Sequence, residues 1–115
     1  MPSTIAYARK AMQGEVLKGH LDLLILAALR AEPAHGYRVV ELLRERSDGL
    51  FELGEGTVYP ALHRLEKGGL LRSSWDSASG RKRRVYRLTA RGQAALAEKR
   101  REWSAFSNAV RAVVA

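Results

Sequence analysis

The feature that most constrains the fold is a helix-length segment, residues 18–30, that is apolar on nearly all sides. Its core reads LDLLILAAL, and Pro33 ends the helix predicted from Lys18 to Arg30. A helix without a polar face is buried, so other elements must cover it all round. The run has nine residues with Asp22 among them, whereas a membrane span needs about 20. We therefore predict a central core helix.

Length and cysteine content limit the classes of protein that remain. The chain has 115 residues, enough for one domain with a core and too few for two. It has no cysteine, which excludes a disulfide framework, a thiolate metal site and a cysteine nucleophile, and fits a reducing compartment. The first 19 residues contain no apolar run of signal-peptide length. We expect a cytoplasmic protein.

Two further helices follow the central one. Residues 36–46 alternate apolar and charged positions in an amphipathic pattern. In TVYPALHRLEKGG, four apolar residues fall at i, i+3, i+4 and i+7 and share one stripe. Because proline is tolerated only where no helix hydrogen bond is lost, Pro60 predicts a start near Gly56 or Thr57, with Gly68 closing the helix. The opposite face is short and basic, with an aromatic side chain; it carries Thr57, Tyr59, Pro60, His63, Arg64 and Lys67.

The runs LLRSSWD and RVYRLT predict a β-hairpin, because they are rich in β-branched and aromatic residues and are separated by a turn-forming segment. Tyr86 and Leu88 should point to one face of the return strand. Thr89 can cap a final helix that runs to the C-terminus. The predicted fold is mainly α with a small β-hairpin (α+β): an N-terminal arm or helix (1–17), a winged helix-turn-helix (18–89) and a C-terminal dimerisation helix (90–115).

Positive charge is concentrated in one part of the chain. The net charge is +8, and residues 72–101 hold ten lysines and arginines against two acids, while the other 85 residues hold ten of each sign. Such asymmetry indicates a polyanionic partner, nucleic acid first and an anionic membrane surface second. The hairpin loop contributes Gly80, Arg81, Lys82, Arg83 and Arg84. The alternative is a solvated loop that only keeps the surface soluble.

The final helix carries an apolar seam formed by Trp103, Phe106, Val110 and Val113. A stripe of this kind on a small domain needs a partner to cover it, and a second copy of the chain is the expected partner.

Catalytic and metal-binding motifs are missing from the sequence. There is no phosphate-cradling glycine loop and no nucleophile elbow. His20, His35 and His63 are dispersed at no metal-ligand spacing. We expect no metal, no cofactor and no enzymatic activity. His35 is expected in a loop or at a helix start, and Tyr37 and Tyr86 are expected to pack inside.

Three helices followed by a hairpin with a basic loop are typical of a winged helix, whose third helix enters the major groove of DNA. Base edges would meet the third helix through Thr57, Tyr59, Pro60, His63 and Arg64. Lys67 and the basic loop would contact phosphates. Phosphate contacts give affinity but carry little sequence information.

Three motifs carry a family resemblance: HGYRVVELL, EGTVYPALHRLEKGGLL and GRKRRVYRLTARG. Together they resemble the PadR family of winged-helix transcriptional regulators over roughly residues 18–92. The resemblance implies a homodimer joined by the terminal helices. It also implies a repressor of its own or adjacent genes that binds a palindromic operator on double-stranded DNA and is released by a small aromatic or drug-like ligand or by another signal.

The resemblance also carries over to particular positions. Thr57, Tyr59 and Pro60 match the start of the family's recognition helix, and residues 80–84 match its wing tip. Lys82 departs from the pattern, because many members have proline there. Trp103 lies where some members use an aromatic side chain to line a ligand pocket, although packing between subunits also explains it.

Two other classes of function stay open from the sequence. The winged helix could be a protein-interaction module whose cations bind an acidic partner. Alternatively, the chain could be a sensor whose main task is ligand capture between subunits.

Overall fold

The computed structural model describes Leu17, residues 19–78 and residues 80–115. The predicted N-terminal arm or helix, apart from Leu17, lies outside the described residues. Within residues 19–78 and 80–115, four helices and three short strands follow in the order α1 (Leu21–Ala31), β1 (Ala34–His35), α2 (Gly36–Arg46), α3 (Glu55–Lys67), β2 (Leu71–Asp76), β3 (Arg83–Leu88) and α4 (Ala90–Val114).

Helix α1 is the central helix that the apolar run predicts. Ile25, Leu26 and Leu29 are buried, and its other leucines pack partly buried against the same core. The helix begins at Leu21 and not at Lys18, because Gly19 and His20 form a turn closed by the His20 N–H on the Leu17 carbonyl at 2.9 Å.

Helices α2 and α3 form the helix-turn-helix. Helix α2 buries one stripe that includes Val39, Leu42 and Leu43, as the amphipathic pattern predicts. The turn after it contains Asp48 and Gly49, both with positive φ. Glycine adopts that conformation without the strain that it imposes on most L side chains. Helix α3 buries the predicted stripe of Val58, Ala61, Leu62 and Leu65.

Helix α3 begins earlier than Pro60 predicts. Its first residue is Glu55, with Gly54 as N-cap, so Pro60 lies inside the helix. The Gly54 carbonyl accepts from the Thr57 and Val58 amides, each at 3.1 Å, and the helix starts one residue before the predicted range. Pro60 has no N–H, so it leaves the carbonyl four residues before it without the usual helix bond. The missing bond falls on the Gly56 carbonyl, in the first turn of the helix.

The sheet has three strands in the order β1-β3-β2, all antiparallel. The sequence does not predict the strand β1, because two residues carry no periodicity. It does predict the hairpin, but β3 begins at Arg83, so Arg83 and Arg84 belong to the strand and only residues 77–82 connect β2 to β3. Tyr86 is buried and Leu88 partly buried, which confirms the predicted inner face.

Helix α4 is anchored to the domain at its start. Thr89 is the predicted N-cap: its hydroxyl accepts from the Gly92 N–H at 3.0 Å and donates to the Gly69 carbonyl at 2.7 Å. Gly92 and Leu96 are buried, whereas no residue after Leu96 is buried. The second half of the 25-residue helix therefore extends away from the core.

Candidate nucleic-acid interface

Helix α3 presents its predicted polar face to solvent. Thr57, Pro60, His63 and Lys67 are exposed, while Tyr59 is partly buried. The apolar stripe packs the other side of the helix into the core. Burial of that stripe therefore sets which α3 side chains remain available to a macromolecule.

Arg64, which the sequence assigns to the same face, is held by an acid on another helix. Its guanidinium donates two hydrogen bonds to the Asp22 carboxylate on α1, at 2.7 and 2.9 Å. The hydrogen bond from Arg64 lowers the pKa of the Asp22 carboxyl, although burial opposes it. A bidentate pair of this geometry ties α3 to α1. It favours a role for Arg64 in orienting α3.

A groove of about 560 Å³ lies between the start of α3, the start of α2 and the wing, which is the hairpin formed by β2 and β3. Tyr59 forms part of its wall, and its ring lies directly against Gly36. A Cβ at Gly36 would lie 2.5 Å from the ring, so any other residue there would displace the Tyr59 ring from this position. The lining on the wing side is cationic: Arg81, Lys82, Arg83 and Arg84.

Tyr37 lies in this groove, contrary to the prediction from the sequence. The sequence predicts that it packs inside, but its side chain is 50% exposed. The buried stripe of α2 includes Gly36 and Val39, and Tyr37 lies outside that stripe. Its ring stacks on His35 with centroids 6.5 Å apart. Its position at the start of α2, the first helix of the helix-turn-helix, is the signal that could have placed it outside the core.

His35 joins α2 to the wing. Its Nδ1 accepts from the Arg38 N–H at 3.3 Å as the N-cap of α2, which confirms the expected helix-start position. Its Nε2 lies 2.9 Å from Nη1 of Arg83 on β3. Burial, together with the nearby Arg83 guanidinium, lowers the pKa of the His35 imidazole, although Glu41 opposes this. The folded domain therefore favours neutral His35.

We expect this preference to make stability depend on pH in the mildly acidic range. The unfolded chain binds a proton at His35 more readily than the folded chain, so the stabilisation is complete above pH about 6.5 and is lost as pH falls through the lower folded value. His35→Asn, which keeps a capping acceptor, should reduce the fall in melting temperature between pH 7.5 and pH 5.

The exposed His63 gives a matched control. The result for His35→Asn is compared with that for His63→Asn, which removes an exposed imidazole and leaves the α2 cap in place. An unaltered pH dependence in His35→Asn would contradict the assignment.

The cations of the wing differ in whether their side chains contact another polar side chain. Arg83 contacts His35, and Arg84 donates from Nε to the Ser73 hydroxyl at 2.7 Å. Arg81 and Lys82 are exposed and have no ion-pair partner in the described part of the chain. Gly80 has a positive φ of 80°, which reverses the chain before them. Of the predicted wing cations, these two are the ones with neither a hydrogen bond nor an ion pair to another described residue.

Trp75 is a wing residue that the sequence pattern did not assign to the site. It lies on β2 opposite Arg84 on β3 and is 58% exposed. The Lys82 Nζ lies 4.9 Å from its ring centroid, and the Arg84 guanidinium carbon lies 5.1 Å away. An exposed tryptophan flanked by two cations stabilises their positions through cation–π attraction.

The predicted seam of α4 is uncovered. Trp103 is 44% exposed, Phe106 57%, Val110 41% and Val113 84%. Near its start, His20 meets the Trp103 ring edge-on at 5.1 Å, and a cavity of about 450 Å³ opens between α1 and α4. The cavity is lined by the rings of Trp103 and Phe106 and by the Asp22–Arg64 pair.

Metal-ligating groups do not cluster in the described residues, where no set of three or more His, Asp or Glu side chains could hold an ion. Nor does any helix within residues 19–78 and 80–115 have the length and hydropathy to cross a membrane.

The arrangement of three helices, a β-hairpin with a free basic tip and an exposed polar face on α3 defines a winged helix-turn-helix protein. The model of the transcriptional regulator PadR-like family matches residues 25–98, which is more than half of the chain. The chain therefore belongs to the PadR-like family of transcriptional regulators, and it is a DNA-binding regulator of transcription.

Individual relatives agree with this assignment. The transcriptional regulator Rv3488 of Mycobacterium tuberculosis is 52% identical over 60 residues, which cover 52% of this chain and 56% of that protein. A PadR family regulator from Eggerthella lenta has a TM-score of 0.77 and 34% identity, with 96% of each chain covered. A PadR family regulator from Clostridium difficile has a TM-score of 0.75 and 34% identity, covering 84% of this chain and all of that one.

Proposed function

We propose that the chain is a homodimeric repressor that binds a palindromic operator. The observation that carries this proposal is the combination of an open polar face on α3 with two unpaired cations at the wing tip. Helix α3 has the size to enter a major groove, while the wing reaches the flanking backbone. Selection of bound duplexes from a random pool tests it, and recovery of a palindrome is the expected result.

Sequence readout is proposed for the exposed α3 side chains Thr57, Pro60 and His63, with Tyr59 at the edge of the groove. Tyr59→Ala or His63→Ala should change the selected sequence, because contacts to base edges carry the sequence information. Lys67, at the end of α3, is proposed to contact phosphate. Arg64 is proposed to orient α3 through Asp22, and any contact that it makes with DNA is secondary.

Wing contacts should appear in the salt dependence of binding. Arg81→Ala combined with Lys82→Ala should weaken binding to all duplexes alike and reduce the log–log salt slope by about 0.9 for each phosphate that is no longer neutralised, or about 2 per protomer. Arg44→Ala combined with Arg46→Ala removes the same charge from exposed positions at the end of α2, away from the wing. An equal reduction of the slope in both double variants would mean that only net charge matters.

The dimer is proposed to form through the α4 seam, because four exposed apolar side chains on one face of a helix need a cover. A two-fold dimer would present two α3 helices to successive major grooves about 34 Å apart. The expected operator is therefore a palindrome with half-sites one helical turn apart.

Release by a small planar aromatic ligand is proposed at the cavity beside Trp103. Support comes from its volume of about 450 Å³ and from the three rings of His20, Trp103 and Phe106 that line it. Titration of tryptophan fluorescence with planar aromatic compounds tests this proposal. A Trp75→Phe background removes the other tryptophan. A silent titration would leave Trp103 with packing as its role.

The same experiments also test the alternative function, a protein-interaction module that binds an acidic protein. Failure to retain the chain on random DNA at low salt would favour it, and so would the recovery of no enriched duplex.

A further inference from the structure

The inner face of the wing carries a chain of polar contacts that reaches α3. The Glu66 carboxylate, in the last turn of α3, accepts from the Ser73 hydroxyl on β2. The same hydroxyl accepts from Arg84 Nε on β3 at 2.7 Å, and Arg84 Nη2 lies 4.0 Å from the Glu66 carboxylate. One carboxylate on the proposed DNA-reading helix thus holds both strands of the wing.

Trp75 extends this arrangement toward the wing tip on the same face of the hairpin. It is directly opposite Arg84 in the hairpin register, and its ring lies under the Arg84 and Lys82 cations. The buried Tyr86 lies across from Ser73 on the same face. Burial raises the pKa of the Tyr86 hydroxyl, and the negative charge of Glu66 adds to the effect, which is consistent with Glu66 pointing inward beneath the wing.

The charges in this cluster are unexpected on a DNA-facing surface. An acid on the reading helix repels phosphate, so Glu66 opposes binding if it acts only through its charge. Arg84 is partly neutralised by that acid, in contrast to the free Arg81. Pairing of Glu66 with Arg84 is explained if the pair serves to position the wing.

The geometry points to a positioning role for Glu66, Ser73, Arg84 and Trp75: they form a brace that sets the angle of the wing to α3, so that Arg81 and Lys82 meet phosphates while α3 lies in the groove. This inference rests on the proposed DNA contacts of α3 and the wing. In it, Arg84 acts through the wing's position and does not itself bind DNA.

The test is a double-mutant cycle on DNA affinity. The probe is a duplex selected from a random pool by the unmodified chain. Glu66→Ala and Arg84→Gln should each weaken binding by about tenfold, and the double variant should be no weaker than Arg84→Gln alone, because coupled residues are not additive. Glu98→Ala, which removes one exposed acid on α4, is the matched control and should bind as tightly as the unmodified chain or slightly more tightly.

A second readout separates position from affinity. Hydroxyl-radical footprints of Glu66→Ala should lose protection on the flanks, where the wing lies, and keep protection at the half-site that α3 occupies. Ser73→Ala keeps every charge and should show the same pattern with a smaller reduction in affinity. Melting curves of each variant establish that the domain is folded.

Either of two results would contradict the proposed brace. They are a Glu66→Ala variant that binds as tightly as Glu98→Ala, or single effects that multiply in the double variant to about a hundredfold, as independent contacts do. If the unmodified chain retains no duplex at all, the DNA-binding proposal fails first. If it binds a selected duplex but the cycle is multiplicative, only the brace is wrong.

Discussion

Gly92→Ala is expected to destabilise the domain by about 2 kcal/mol, although alanine normally strengthens a helix over glycine by about 1 kcal/mol. A Cβ at Gly92 would overlap the carbonyl oxygen of Leu70 and lie 3.1 Å from its carbonyl carbon. That carbonyl cannot rotate away, because it accepts the Thr89 N–H at 3.2 Å. The clash could be relieved only if α4 moved away from the turn at Gly69 that anchors it. The cost of overpacking is therefore expected to exceed the gain in helix propensity.

Thermal unfolding followed by circular dichroism measures this effect, and a fall in melting temperature of about 8 °C is expected for a domain of this size. Gly56→Ala is the matched control, since Gly56 also lies in the first turn of a helix but a Cβ there meets nothing within 4 Å. That variant should be as stable as the unmodified chain or more stable. Gly92→Ala with an unchanged melting temperature would show that α4 shifts freely on the sheet.

Trp103→Glu combined with Phe106→Glu is expected to abolish dimerisation and to weaken operator binding by about 100-fold or more. The two rings are exposed on the seam of α4, with centroids 6.0 Å apart. Four buried carboxylates in a dimer would lack partners, and burial of an unpaired charge costs several kcal/mol. A monomer reads one half-site and loses the gain in affinity that linked sites provide.

Sedimentation equilibrium and DNA titration measure the two consequences. Asn108→Glu combined with Ala112→Glu introduces the same charge on the opposite side of α4 and serves as control, with dimer and affinity expected to be retained. A monomeric double variant that still binds the palindrome with full affinity would separate DNA binding from the α4 seam. A control variant that also dissociates would indicate a general effect of charge on the helix.

Local pattern in the sequence predicted most of the architecture. The buried stripe of α3, the inner face of β3 and the Thr89 cap follow from periodicity and capping chemistry, and the structure has all three. Hydrophobic burial is non-directional, so it needs only the right residues on the right face. Errors occurred where the signal was short or indirect, as in the two-residue strand β1 and the single exposed Tyr37 at the edge of a buried stripe.

The basic run shows the limit of local pattern. In the sequence Arg81, Lys82, Arg83 and Arg84 are four equivalent cations. The fold divides them. Arg83 lies beside His35, 48 positions away in the chain, and Arg84 lies beside Ser73 and Glu66. The two at the tip have neither a hydrogen bond nor an ion pair to another described residue. Arg64 is likewise paired with Asp22, 42 positions away.

The sequence by itself determined the class of fold, the basic surface and the family, because these depend on composition and on the order and spacing of residues along the chain. Only the tertiary structure decided which cations are exposed without a hydrogen bond or ion pair to another described residue and which connect distant elements. A hydrogen bond or ion pair requires two side chains to converge within about 3 to 4 Å, and that convergence depends on how distant elements pack.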